Sequence, residues 1–528
     1  MFRFSPNPNL AHLVHWFEWE DDAFAKARER DRPVMVFLSA FWCRYCQRMD
    51  EGAFSDRENM ALLNAYFVAL RVENAKRPDI DARYNLNGWP TVAFLSPKGK
   101  LLAAANYLPN DEFKEFLLNV YMEQRKGEIR LSENIEPSDL AATRKITRDL
   151  PSLSSLREIT NAVLAMADRV NGGYGRSQKF IQAEASDFLL CCHELTGDVS
   201  CLDHVRLTLD RMRESPIYDE KEGGYFRTTT GADWAQPHRE KLLAEQAGLL
   251  ANCLRVFRIT RRSEYARMAE EIIGYLDKKL FDPSKPAFFG CEDFLRRENE
   301  KQEMAEEFFI IIDECVYTDA NARAIVAYLD AAEGLNRSDC KARALGILEF
   351  LWHRSRSELE GMFHYFDDAP RVPCLLTDQA HMGMALVRAF HATGEGDFLA
   401  RAKKLADFIL VHLTNPDGGY YDRGASELGF FGARLTLIDQ NGVAALFFLM
   451  LADAIKERQY LEAALWALRA FGGEFAAWAR YRSVWPSARS VPQFTGDGFD
   501  NDQALIFISA TMISLFGFPR QMIFRDKP

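Results

Sequence analysis

Four times between residues 185 and 422 the chain repeats one pattern: a helix-length apolar segment, a polar turn, a second helix-length segment, then an aromatic element. The copies are "ASDFLLCCHELTGDVSCLDHVRLTLDRM…GGYF" (185–226), "LAEQAGLLANCLRVFRITRRSEYARMAEEIIGYL…AFFG" (243–290), "TDANARAIVAYLDAAEGLNRSDCKARALGILEFLW…FHYF" (318–366) and "TDQAHMGMALVRAFHATGEGDFLARAKKLADFILVHL…GGYYD" (377–422). Tyr174, Tyr225, Phe288, Phe363 and Tyr420 mark the aromatic positions. A two-helix unit cannot bury its apolar face alone, so such units must stack on one another. The two helices of a unit differ. Phe398, Ala402, Leu405, Ile409 and Leu413 draw one apolar stripe on a second helix, whereas "VAALFFLMLADAI" and "ALIFISATMISLF" are apolar on nearly every side. A one-striped helix lies against an enclosure, and an all-apolar one lies inside it. The expected region is an all-α (α/α)6 barrel over 153–528. A fifth unit runs over 441–479, and a sixth is split between 502–516 and 155–170, so that the two ends close the ring.

In such a ring the long connections from outer to inner helices gather at one mouth, where function is expected. They bring there the aromatics Tyr174, Tyr225, Trp234, Phe289, Tyr365, Tyr420 and Tyr421. They also bring the acids Glu240, Asp293, Asp319, Asp378, Asp439 and Asp502, with His238, His364 and His381. Aromatic faces beside carboxylates suit a polar, flat-faced, sugar-like ligand. A plainer reading stands beside this one. Asp319, Asp378, Asp439 and Asp502 open inner helices, where acids act as caps or dipole partners. The Gly-Gly-Tyr elements also read as tight turns with a packed ring, and His381 reads as a core histidine.

The first 125 residues have another texture. "DDAFAKARERD" reads as an amphipathic helix and "RPVMVFLSA" as a buried strand, after which "FWCRYCQRMD" opens a helix with Cys43 and Cys46. "FVALRVE" is a second strand, "TVAFLSPKGKLLAAANY" two more around a turn, and "NDEFKEFLLNVYMEQ" a closing helix. That βαβαββα order, with Cys-x-x-Cys after a core strand, is the thioredoxin arrangement. Cys43 at a helix N-terminus has its thiolate favoured by the helix dipole, and Cys46 one turn on is placed to resolve a mixed disulfide. Pro90 in "NGWPT" opens the next core strand, where a cis bond after Trp89 is expected, and Trp42 flanks the pair. Inert buried cysteines are the alternative. No second Cys-x-x-Cys or His-x-x-Cys accompanies the pair, so no metal is expected. The segment 126–152 is polar and weakly patterned, and reads as a linker.

This N-terminal segment resembles the thioredoxin-domain family of spermatogenesis-associated protein 20 and its bacterial homologues. The matching features are "HWFEWEDDAFAKARERDRPVMV", Cys43, Cys46, Met49, Phe54, "RPDID" at 77–81 and Gly88-Trp89-Pro90. A later Pro-His-x-Glu-Lys element of that family is matched by "PHREKLL" at 237–243, which singles out His238, Glu240 and Lys241. Where the family usually has Cys-His-Trp-Cys-His, this chain has Arg44, Tyr45 and Gln47. The helical region resembles the six-hairpin glycosidases and the N-acylglucosamine 2-epimerases. The resemblance implies a multidomain chain: a thioredoxin-like domain over 1–125, a linker, and a six-hairpin barrel.

Composition narrows the partners. A net charge of −11 argues against nucleic acid, which needs a basic face. The longest apolar run, "VAALFFLMLA", is shorter than a bilayer span, and "MFRFSPNPNLAHLVHW" does not read as a signal peptide. The expectation is a cytoplasmic protein without membrane partner or cofactor. Three functions follow. One is a thiol–disulfide oxidoreductase acting on a disulfide-bearing protein or small thiol. The second is a sugar-active enzyme (epimerase, isomerase or glycoside hydrolase) with a regulatory thioredoxin domain, and the third a non-catalytic scaffold.

Overall fold

A strand can be buried on both faces only when it is apolar throughout, and residues 34–38, "VMVFL", meet that condition. The computed structural model describes residues 2–86, 88–126, 153–298, 304–357, 360–425 and 434–471. The N-terminal elements are β1 (Trp16–Phe17), α1 (Asp21–Glu29), β2 (Val34–Ser39), α2 (Arg44–Glu51), α3 (Arg57–Tyr66) and β3 (Val68–Glu73). They continue with α4 (Pro78–Tyr84), β4 (Thr91–Leu95), β5 (Leu101–Ala105) and α5 (Asn110–Lys126). The sheet order is β1-β3-β2-β4-β5, with β1, β3 and β2 parallel and β4 and β5 antiparallel additions. Alternate β2 side chains feed opposite cores: Met35 and Phe37 pack with Phe54 and Phe113, while Val34, Val36 and Leu38 pack with Trp19 and Phe24. This is a thioredoxin-like fold. The edge strand β1 was not expected from the sequence, because two residues carry no alternation to read.

The helical domain comprises α6 (Leu153–Met166), α7 (Ala183–Thr196), α8 (Val199–Arg213), α9 (Leu243–Thr260), α10 (Ser263–Tyr275) and α11 (Thr318–Gly334). It continues with α12 (Ser338–Arg354), α13 (Leu376–Thr393), α14 (Gly396–Phe408), α15 (Ile438–Ile455) and α16 (Arg458–Arg469). Helices α7, α9, α11, α13 and α15 are laterally adjacent in that order, and each packs on the outer helix that follows it. The fold resembles a six-hairpin barrel. The linker 126–152 falls almost wholly, and the helix expected over 502–516 with Asp502 entirely, outside the described residues. Helix α15 contains the apolar run noted above and, at 18 residues, is long and apolar enough to cross a bilayer. Here it lies between α13 and α16. A long hairpin, Cys291–Glu298 with Met304–Asp313, is inserted before α11.

One device recurs at the fourth residue of the inner helices. Gln246 accepts from Tyr225 N (3.0 Å) and donates to Tyr225 O (2.6 Å). Asn321 does the same to Phe288 (2.8 and 2.9 Å), Gln379 to Met362 (2.7 and 3.0 Å) and Asn441 to Tyr420 (2.6 and 2.9 Å). A carboxamide has a donor and an acceptor side by side, which matches one residue's N–H and C=O. Each of these four inner helices, α9, α11, α13 and α15, thereby pins the connection that leads into it. Losing the carboxamide strands two buried backbone groups, each costing about 1–3 kcal/mol. Gln246→Leu should therefore destabilise the protein by about 2–5 kcal/mol, and Gln246→Glu, which keeps the acceptor, by less. Denaturant titration of both variants checks the order.

Candidate functional site: a cysteine pair under the barrel mouth

β2 delivers the chain to Cys43, the N-cap of α2, whose Sγ accepts from Cys46 N at 3.0 Å. Unpaired N–H groups at a helix start favour negative charge there. Cys43 and Cys46 form a disulfide with a Cα–Cα distance of 5.2 Å. The Trp89–Pro90 bond is cis. Trp89 meets Trp42 edge-to-face at 5.4 Å and donates from its indole to Asp81 (2.9 Å). Cys43, placed to attack, is expected to be the more exposed of the pair; at 4% against 3% it is so only marginally, and both are buried.

The barrel's connections reach the tryptophan that flanks the pair. Arg227 lies 3.9 Å above the Trp42 ring and is held there by Glu240 (2.8 Å). Glu240 therefore faces Arg227 and supports the tryptophan. On the other side of the domain Asp79 binds Arg77 (2.8 Å) and the barrel's Arg423 (3.1 Å), while Arg83 binds the barrel's Asp422 (2.9 Å). His364 donates from Nε2 to Ala75 O (2.7 Å) and from Nδ1 to Asp378 (3.0 Å). The thioredoxin-like domain thus sits across the mouth, and a cavity of about 430 Å³ between the domains reaches Cys43 and Cys46.

Enclosure revises the mouth residues one by one. Tyr174, Tyr225, Trp234 and Tyr420 were expected as platforms for a ligand, and all are buried in the barrel core. Tyr420 donates to Ala463 O (2.9 Å), Trp234 to Asn171 O (2.7 Å), and Tyr174 shares a bond with Ser186 (3.3 Å). The glycine pairs explain the placement. Gly223 and Gly224 adopt φ of +76° and +74°, which folds the turn back and drives the following ring inward. Lys241, expected to bind ligand, is buried and spans that same turn, bonded to Asp219 (2.8 Å) and Gly223 O (2.8 Å). Lys179 repeats the bridge with Asp168 (2.9 Å) and Gly175 O (2.6 Å). His238 is exposed. Hence His238, Glu240 and Lys241 diverge and do not form one site. Tyr365 lies under Lys76 at the domain boundary, Tyr421 under Arg434, and Phe289 packs against the core.

Asp319, Asp378 and Asp439 lie within the first turns of α11, α13 and α15, past the cap positions Tyr317, Leu375 and Leu437. Asp378 serves His364 rather than a cap. Burial alone would lower the His364 pKa, but Asp378 overcomes it and raises the imidazole to about 10. Asp319, His364 and Asp378 lie close enough to share a cation. With both ring nitrogens donating, however, the imidazolium offers no lone pair for one.

Beneath this, the first turns of the inner helices turn further polar groups inward. Glu184 pairs with Arg323, while Glu245 Oε2, His381 Nδ1 and Gln440 Oε1 are buried without hydrogen-bond partners among the described residues. Burial, with Glu240 and Glu184 adding to it, lifts the Glu245 carboxyl to about 8 against the pull of Arg227. Burial, then Arg323, presses His381 down to about 4. Both are neutral near pH 7. His381 had been weighed as a core histidine, whereas Glu184, Glu245 and Arg323 were missed. A signal was present: Glu245 directly precedes a carboxamide in "LAEQ" as Asp378 does in "LTDQ".

Fold and site together define a thioredoxin-like domain closed against a helical barrel of six-hairpin type. Residues 8–130 match the family model Thioredox_DsbH, described as a protein of unknown function, DUF255. The chain is similar to spermatogenesis-associated protein 20 of Homo sapiens, 28% identical over 307 residues, covering 53% of this chain and 39% of that protein. It is similar to the uncharacterized protein B0495.5 of Caenorhabditis elegans, 26% identical over 302 residues, covering 53% of this chain and 41% of that one. These matches span about two fifths of the curated relatives' length. Among solved structures it is similar to a cellobiose 2-epimerase from Bacillus thermoamylovorans B4167 (12% identity, 69% of this chain, 100% of that chain, TM-score 0.50). It is likewise similar to a D-mannose isomerase (10% identity, 69% of this chain, 97% of that chain, TM-score 0.51). At those identities the likeness is one of fold.

The His364 clamp makes stability depend on pH with a definite sign. Its folded pKa, about 10, lies above the ordinary histidine value of about 6.5, so its contribution is complete below about 6.5 and is lost as pH rises through about 10. The melting-temperature advantage of the unmutated protein over His364→Phe should therefore shrink steadily from pH 6.5 to 10. An advantage that grows with pH would contradict this assignment.

Proposed function

We propose that the protein is a thiol–disulfide oxidoreductase. In the reduced form the Cys43 thiolate attacks a substrate disulfide, forming a mixed disulfide and expelling one substrate thiolate. The Cys46 thiolate then displaces the second, leaving the Cys43–Cys46 disulfide and two substrate thiols. The observation that carries this reading is the pair itself, at the N-terminus of α2, with Cys43 Sγ accepting from Cys46 N. Sulfur in that position is the better leaving group and the more acidic thiol. We place the activity in the cytoplasm, in keeping with eight further cysteines that are all unpaired.

A second reading concerns the barrel: its interior binds a neutral sugar-like polyol. The Glu245, His381 and Gln440 atoms without partners among the described residues favour it, since buried polar groups left so call for a polar ligand or water. The epimerase and isomerase neighbours lend the same fold and no more.

Two measurements test these readings. In reduced protein, Cys43 should alkylate faster than Cys46 and with an apparent pKa below about 8.5. A Cys43 that reacts only above that value, or more slowly than Cys46, removes the redox reading. For the barrel, titration calorimetry with mono- and disaccharides should give heat in the unmutated protein and weaker binding in Glu245→Gln/His381→Ala. Absence of heat with every sugar argues against a carbohydrate ligand.

A further inference from the structure

The cavity between the domains is charged in an uneven way. Most of its cations are matched: Arg71 by Asp50 (2.8 Å), Arg77 by Asp79 (2.8 Å), and Lys76 and Arg371 by Asp367 (3.7 and 3.9 Å). Arg3 is different. Its guanidinium rests 3.4 Å above the Phe41 ring and donates one bond, from Nη1 to Phe41 O (2.9 Å). No carboxylate lies within ion-pair distance of it among the described residues, and Asp293, Asp313 and Glu73 act on it only through space. Gln47, one turn beyond Cys43, lines the same cavity with a buried Nε2 that has no acceptor among the described residues.

Opposite in charge are Glu73 from β3 and Asp313 from the inserted hairpin. Glu73 accepts only backbone N–H groups, from Phe41 (3.2 Å) and Lys76 (2.9 Å), and Asp313 accepts from Tyr317 Oη (2.8 Å) and Cys315 N (3.3 Å). Neither has a cation within ion-pair distance among the described residues, and the charges of Lys76 and Arg3 act on both only through space. Burial and the neighbouring Asp313 lift the Glu73 carboxyl to about 7. An ammonium group placed near two such carboxyls relieves their repulsion.

Resting on the redox reading above, we infer that this cavity is the substrate site and that its substrate is a small aminothiol disulfide bearing both carboxylate and ammonium groups. Arg3 and Gln47 supply donors for the carboxylate, Glu73 and Asp313 receive the ammonium, and the Cys43–Cys46 pair lines the same cavity. Size points the same way. A volume of about 430 Å³ is that of a small-molecule site, and with both cysteines buried a protein loop cannot reach the sulfurs while the domains stay closed. The reaction is balanced: reduced pair plus one disulfide gives oxidised pair plus two aminothiols, and two aminothiols reverse it.

The test follows oxidation of the reduced full-length chain by stopped-flow tryptophan fluorescence, using cystine, oxidised glutathione, uncharged 2-hydroxyethyl disulfide and insulin. Cystine or oxidised glutathione should react about tenfold faster than the uncharged disulfide, and faster than insulin, because complementary charge raises encounter and retention. The ratio of charged to uncharged rates should fall at least about fivefold in Arg3→Ala and in Glu73→Gln. Equal rates for the charged and uncharged disulfides in the unmutated protein overturn the inference without any variant. Insulin reacting fastest also overturns it, while leaving the redox reading standing. No reaction with any of the four removes both.

Discussion

Five charged side chains lose their water together where α4 meets the barrel. Asp79, Arg77 and Arg83 come from one domain, and Asp422 and Arg423 from the other. Burial alone would raise the Asp79 carboxyl, yet the three arginines, Arg77 foremost, hold it at about 2. Stripping one partner from such a set leaves a bare charge in a dry place, which costs about 3–5 kcal/mol. The domains therefore have one relative placement in which all five are answered. The closed mouth depends on it.

Arg227 then joins the two chemical regions. It stacks over Trp42 beside the disulfide, pairs with Glu240, and through space pulls against the raised carboxyl of Glu245 inside the barrel. One guanidinium thus responds to the packing of the cysteine-bearing helix on one side and to the charge of the barrel interior on the other. Withdrawal of the thioredoxin-like domain would leave Glu240 and Arg227 to each other, in water, and change the field that Glu245 experiences.

Much of the fold could be read from residues. The all-apolar "VMVFL" and the alternation of one-striped and all-apolar helices determine burial directly, and burial determines architecture. The cysteine pair and cis proline were equally legible, because each residue type has few other reasons to stand there. The ligand residues were harder. Tyr174, Tyr225 and Tyr420 look the same in sequence whether a ring points to a mouth or a core, and the direction is set by glycine φ values and, for Tyr225 and Tyr420, by a carboxamide some twenty residues away. Lys241 fell to the same difficulty: its partner Asp219 belongs to a turn whose closure is a tertiary fact. That Cys43 is buried along with Cys46 was not legible, because it depends on how the rest of the thioredoxin-like core packs around the start of α2.

The ten cysteines divide into two chemical populations. Eight are unpaired and buried, and burial pushes every one of those thiols upward, Cys191, Cys192 and Cys201 to about 12 and Cys340 to about 11. A thiol held protonated does not attack a disulfide. The folded chain is thereby insulated from itself: an oxidising equivalent that arrives at Cys43–Cys46 has nowhere else within the described protein to migrate. Unfolding would end that insulation at once, freeing eight ordinary thiols beside a disulfide. Heat inactivation in the oxidised state should then be chemically irreversible, through shuffled bonds, where the reduced state would merely unfold.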